Sequence, residues 1–112
     1  MKPLQYRLDW LEDLIREGPG VDILQGPSVD AYCEACEIQA DVQNFGPNKC
    51  RTLGADLRRL HADGIVNRGR IGLKDGSWYP GLPKWVWSYN MTPEQKVQSA
   101  RNAAVRKRKA SL

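Results

Sequence analysis

Several things are scarce in this chain of 112 residues, and each scarcity removes a class of function. There is one histidine, His61, no glycine-rich phosphate-cradling motif, and no nucleophile with a recognisable base, so nothing points to an enzyme or to a cofactor. There are three cysteines, an odd number that fits a reducing compartment better than a disulfide framework. No apolar run approaches the roughly 18 residues of a membrane span. Met1-Lys2-Pro3-Leu4 leads into an acidic amphipathic segment rather than an apolar signal region. These absences describe a cytoplasmic protein with no membrane partner. No internal repeat is visible.

What is present is enough for one folded unit. Hydrophobic residues make up 41% of the chain, with a mean hydropathy of −0.58, which suits a soluble domain with a modest core. The net charge of +4 conceals an asymmetry. Residues 1–46 hold three basic residues against nine acidic ones, a net of −6, and residues 47–112 hold fourteen against four, a net of +10. A basic half of this kind is the footprint of phosphate binding, or else a solvated surface that keeps the protein soluble.

Hydrophobic spacing predicts the elements. Leu4, Leu8, Leu11 and Ile15 share a helix face over about 4–17, which Gly18-Pro19-Gly20 ends. Val21, Ile23 and Leu24 suit a short extended piece. Ser28 is placed as the cap of a second helix running to about Ile38. A long connector with Phe45-Gly46-Pro47 follows. A third helix is expected from about Asn48 to Ala62, with Cys50, Leu53, Leu57 and Leu60 on one face, stopped by Asp63-Gly64. Gly54 inside it would admit a neighbouring helix. Ile65 to Leu73 and Lys84 to Tyr89 have strand character around a turn-rich loop. Thr92-Pro93-Glu94-Gln95 is a capping-box start for a last helix that ends in Arg106-Lys107-Arg108-Lys109.

The order helix, short strand, helix, helix, strand, loop, strand, helix resembles the winged helix-turn-helix family between Ser28 and Tyr89. Leu53, Leu57, Leu60, Gly64, Ile65 and Val66 carry the resemblance, with the two strands flanking the 74–83 loop. The connector before Asn48 is longer than the family's usual turn. The resemblance implies an α+β fold, with a three-helix core and a two-stranded β-wing over 1–91 and a basic helix and tail over 92–112. The implied partner is double-stranded DNA, read by a small transcriptional regulator of phage or mobile-element type.

On that reading the third helix enters the major groove, and side chains near its start read base edges. Those are Asn48, Lys49, Arg51 and Thr52, with Asn44 just upstream and Arg58 farther along. Ser28 would meet a phosphate at a helix start. Arg68, Arg70 and Lys74 would approach phosphates or the minor groove from the wing, and Arg106, Lys107, Arg108 and Lys109 would track phosphates. Val97, Ala100 and Ala104 form the last helix's only apolar stripe and would pair it with a second protomer in a homodimer. Arg58 and Arg59 have a second option, pairing with Asp56 or Asp63.

Three further groups each have two readings. Trp85 and Trp87 read first as core and wing support, and otherwise as a stacking platform for unpaired bases. Trp78 and Tyr79 sit in the loop as exposed contacts. Cys33, Cys36 and Cys50 read first as packing cysteines, with no metal, and otherwise as three zinc ligands. His61 cannot complete that set, because it lies about 16 Å along one helix from Cys50. The alternative function is a protein-interaction module on a winged-helix scaffold, such as a host-takeover factor, with the acidic first helix and the exposed wing aromatics as its interface and the basic half incidental.

Overall fold

A computed structural model describes residues 1–22, 26–41, 43, 49–72 and 85–111. Among them the fold is mixed α+β, with helices α1 (Leu4–Glu17), α2 (Gly26–Cys36), α3 (Arg51–Ala62) and α4 (Pro93–Ala110) and strands β1 (Val21–Asp22), β2 (Asn67–Gly72) and β3 (Trp85–Asn90). None of these helices is long and apolar enough to cross a membrane. The expectations placed on Ile23, Leu24, Asn44, Phe45-Gly46-Pro47, Asn48, Lys74, Trp78, Tyr79 and Lys84 lie outside the described residues.

The expected apolar stripe of α1 is buried at Leu8, Leu11 and Ile15, while Leu4 stays at the surface. After α1 the chain turns sharply at Gly20, whose φ is 124°. A Cβ there would lie 2.8 Å from the carbonyl oxygen of Tyr89. That approach brings β1 onto β3, and only glycine permits it.

The second helix begins at Gly26, two residues before Ser28, so Ser28 lies within the first turn and is not its cap. It buries Val29, Tyr32, Cys33 and Cys36 at helical spacing. It stops at Cys36 because Glu37 adopts a left-handed φ of 56°. The amide of Ile38 then donates to the carbonyl of Cys33 at 2.9 Å, and that of Glu37 to Glu34 at 3.4 Å. Together they form a Schellman closure built on a non-glycine residue.

The third helix starts at Arg51, later than expected, because Cys50 is extended at φ −149° and ψ 91°. Lys49 therefore precedes the helix. Leu53, Leu57 and Leu60 are buried in the core with Cys50. Gly54 serves no helix packing: the one atom within 4 Å of a Cβ there is Nη1 of Arg58, at 3.3 Å. The expected stop is in place. Gly64 has φ 75°, and Ile65 and Gly64 donate to Leu60 and His61, each at 3.0 Å.

The strands pair antiparallel in the order β1-β3-β2. Gly72 faces Trp85, Arg70 faces Trp87 and Arg68 faces Tyr89. Ile65 and Val66, expected in the strand, precede it, and Val66 is buried in the core with Tyr89 and Met91. Thr92 and Gln95 form the expected capping box, and Nε2 of Gln95 also donates to the Gly64 carbonyl at 3.2 Å.

The acidic face of α1 carries α4. Arg106 reaches Glu12 at 2.7 Å, Asp13 at 3.2 Å and Asp9 at 3.6 Å. Asn102 donates to Glu12 at 3.5 Å, and Arg16 donates to the buried Ser99 hydroxyl at 3.1 Å. The docked face of α4 is thus polar, and Val97, Ala100 and Ala104 are exposed.

Two backbone substitutions test these junctions with opposite signs. Glu37→Gly should raise the unfolding free energy by about 0.5–1 kcal/mol, since the exposed Lys2 ion pair it gives up contributes little. Gly20→Ala should lower it by more than about 1 kcal/mol. Urea denaturation of both variants measures the difference.

Candidate nucleic-acid interface

The rotational setting of α3 decides which of its side chains face outward, and a buried polar cluster fixes it. Asp56, 3% exposed, lies on the inner face of α3 beside the leucine seam. Nε of Arg7 donates to its Oδ2 at 2.9 Å, and Nη2 to its Oδ1 at 3.4 Å. The Tyr32 hydroxyl donates to the same Oδ2. Arg7 also donates from Nη1 to the Lys2 carbonyl at 2.7 Å. The cluster joins α1, α2 and α3. The bond to Asp56 is the main influence raising the pKa of Arg7, so its charge is secure. Burial, then the bond to Asp56, pushes the Tyr32 phenol far above its ordinary value, so it stays protonated as a donor.

Asp56 is the only acidic residue of α3. With it turned inward and neutralised, the outer face presents Arg51, Ala55, Arg58, Arg59 and Ala62, all exposed. Positions 51, 55, 58 and 62 recur at spacings of 4, 3 and 4, which is one stripe. No carboxylate among the described residues pairs with Arg51, Arg58 or Arg59. The option of Arg58 or Arg59 pairing with Asp56 is therefore closed, since Arg7 holds it.

The other expected contact residues divide sharply. Thr52 is half-buried beside Arg51. Lys49 is drawn to Asp30 at 3.3 Å and is not on the stripe. Ser28 is half-buried in the first turn of α2, and among the described residues no hydrogen bond or ion pair links it to α3. Arg106 is committed to α1, whereas Lys107, Arg108 and Lys109 are exposed beyond it. Asn44, Asn48 and Lys74 fall outside the described residues.

The strands place Arg68 and Arg70 over tryptophan rings. The Arg68 guanidinium carbon lies 4.2 Å from the Trp87 ring centre. That of Arg70 lies 4.4 Å from Trp85 and 5.4 Å from Trp87. The rings meet edge to face at 4.9 Å. Trp87 packs against the core, as its supporting reading required, while Trp85 is 39% exposed.

Cys33, Cys36 and Cys50 are buried free thiols, and no group of three metal-binding side chains among the described residues is placed to hold an ion. Burial, then a hydrogen bond with Cys50, pushes the Cys33 thiol from 9.0 up to about 12. Burial likewise raises Cys36. A groove of about 400 Å³ between α1, the end of α3 and α4 contains Asp9, Glu12 and Arg106, which satisfy one another.

No protein family, curated protein sequence or solved structure matches this chain.

Asp56→Asn removes the charge that Arg7 opposes and should cost about 3–5 kcal/mol of stability. Tyr32→Phe should cost less, about 1–3 kcal/mol, because Asp56 keeps its arginine. The folded pKa values of Tyr32, Cys33 and Cys36 lie above their unfolded values. The stability tied to Cys33 is therefore complete below pH about 9 and is lost as pH rises from there through about 12, and that tied to Cys36 and Tyr32 is likewise lost on the alkaline side. Chemical denaturation as a function of pH reads both effects.

Proposed function

We propose that this chain is a DNA-binding protein of winged helix-turn-helix architecture, and that α3 is the helix it offers to the major groove of a duplex. One observation carries the reading. The single acid of α3 is buried against Arg7, so the exposed stripe of the helix is arginine and alanine alone.

Such a stripe suits a groove. A helix of 12 residues is about 18 Å long, and the major groove admits one helix across its width. Ala55 and Ala62 are short enough to let the backbone approach, while Arg51, Arg58 and Arg59 extend to base edges and phosphates. Arginine forks onto guanine through two parallel donors. Gly54 leaves the guanidinium of Arg58 free to lie back toward the start of the helix. The element order and the sheet order β1-β3-β2 support the winged-helix assignment. In it β2 and β3 flank the wing, and Arg68 and Arg70 serve as wing cations. The exposed Lys107, Arg108 and Lys109 add phosphate contacts without sequence preference. The function that follows is transcriptional regulation or another task requiring recognition of a duplex.

The alternative of an interaction module used the acidic face of α1 as its surface. Arg106 already occupies Asp9, Glu12 and Asp13 of that face, which supports the DNA reading, while the wing aromatics Trp78 and Tyr79 of the alternative lie outside the described residues.

The double variant Arg51→Glu/Arg58→Glu should lose at least tenfold in affinity for duplex DNA. Removing residues 107–112, which spares the Arg106 clamp, should weaken binding to all sequences and flatten its salt dependence by about one unit of slope per lost phosphate contact. Unchanged gel shifts in the double variant would contradict the proposal.

A further inference from the structure

The face of the sheet that carries Arg68 and Arg70 has more built into it than a pair of wing cations needs. Read along the two strands, the order is Arg68, Trp87, Arg70, Trp85, with cation and ring alternating at 4.2, 5.4 and 4.4 Å. The register produces this order: Arg70 is the cross-strand partner of Trp87, and residues two apart share a face. Trp87 is anchored in the core, so the ladder leads outward from a fixed root to the 39% exposed Trp85.

We propose that this arginine–tryptophan ladder is a binding site for single-stranded nucleic acid, separate from the duplex surface of α3. Three features argue for an unpaired strand. First, a guanidinium whose carbon is held 4.2 or 4.4 Å from an indole centre has already lost much of its rotamer freedom, and a ring face leaves its N–H donors available to phosphate oxygens. Two such groups two residues apart on a strand lie about 7 Å apart, a spacing similar to that of consecutive phosphates. Second, an indole adds affinity only to a base whose face is free, and a base inside a duplex has none to offer. Third, no described residue fills the space beside Trp85 at its cross-strand position on β2. The partner there is Gly72, and among the described residues a Cβ placed on it would meet nothing within 4 Å. Glycine at this position of β2 puts no side chain over the ring, where almost any other residue would shield it. Among the described residues no carboxylate competes for Arg68 or Arg70.

The inference shares its partner class and the cations Arg68 and Arg70 with the proposed function, but Trp85 belongs to the ladder alone and Arg51 and Arg58 to α3 alone, so variants at those positions let the two fail separately. The test is fluorescence anisotropy of the full chain with two labelled probes, an oligothymidylate of about 12 nucleotides and a blunt hairpin duplex. The wild type should bind both. Trp85→Leu, which keeps an apolar side chain, should weaken oligothymidylate binding about fivefold or more and duplex binding less than twofold. Gly72→Val preserves strand character while covering the ring, and serves if Trp85→Leu does not fold by circular dichroism.

Equal losses on both probes, or no loss with oligothymidylate, would overturn the site. So would competition by polyglutamate as strong as that by the oligonucleotide, since the surface would then be a general polyanion patch. Binding to the duplex alone would remove the ladder site and leave the α3 reading standing. Binding to oligothymidylate alone would do the reverse, and binding to neither would overturn both.

Discussion

Asp56 is buried where α1, α2 and α3 meet, and the rest of the molecule is arranged around keeping its charge matched. Taking a carboxylate and a guanidinium out of water is costly, and their attraction offsets that cost only when the remaining donors and acceptors are also satisfied. Here the arginine binds both carboxylate oxygens, the tyrosine supplies a further donor and the Lys2 carbonyl takes another guanidinium N–H. The leucines of α3 contribute most of the favourable burial, at about 1.5–3 kcal/mol each, but contacts between apolar side chains tolerate sliding and rotation. A buried ion pair does not. Turning α3 by a single residue would send Asp56 to the surface and leave Arg7 alone inside.

That constraint gives the charge asymmetry of the chain its meaning. Much of the acidic N-terminal half is consumed internally. Asp9, Glu12 and Asp13 hold Arg106, Asp30 holds Lys49 and Glu37 holds Lys2. In each case a basic residue is taken from the set that could meet a polyanion. Among the described residues, the basic side chains left outside lie on α3, on the β2–β3 face and along α4. The proposed duplex surface and the proposed single-strand surface thus both arise from one internal accounting of charge, in which Arg7 and Arg106 act inside the fold.

Much of this was legible in the sequence where the determinants are local. The apolar stripe of α1, the leucine seam of α3, the glycine stop at Gly64 and the capping box at Thr92 each depend on residues within a turn or two, and each stands where its pattern put it. The start of α3 was misread because Cys50 is apolar and in phase with the seam, although its backbone is extended. The end of α2 was misread because Glu37 has none of the usual marks of a left-handed residue. The polar contacts that set the site were not legible. Arg7 and Asp56 are separated by 49 positions and Glu12 and Arg106 by 94, and no periodicity links such pairs. The alternation of Arg68 and Arg70, and of Trp85 and Trp87, was visible, but their interleaving depends on a register that only the paired strands supply.

The central claim is that an internally neutralised Asp56 leaves α3 with a cationic face for duplex DNA. Selection of the purified protein against a library of random duplexes, followed by salt titration of the best binder, tests it most directly. The account predicts an enriched motif, with log affinity falling against log salt at a slope of about −3 or steeper. Failure of any sequence to enrich, together with binding that is absent or indifferent to salt, would contradict it.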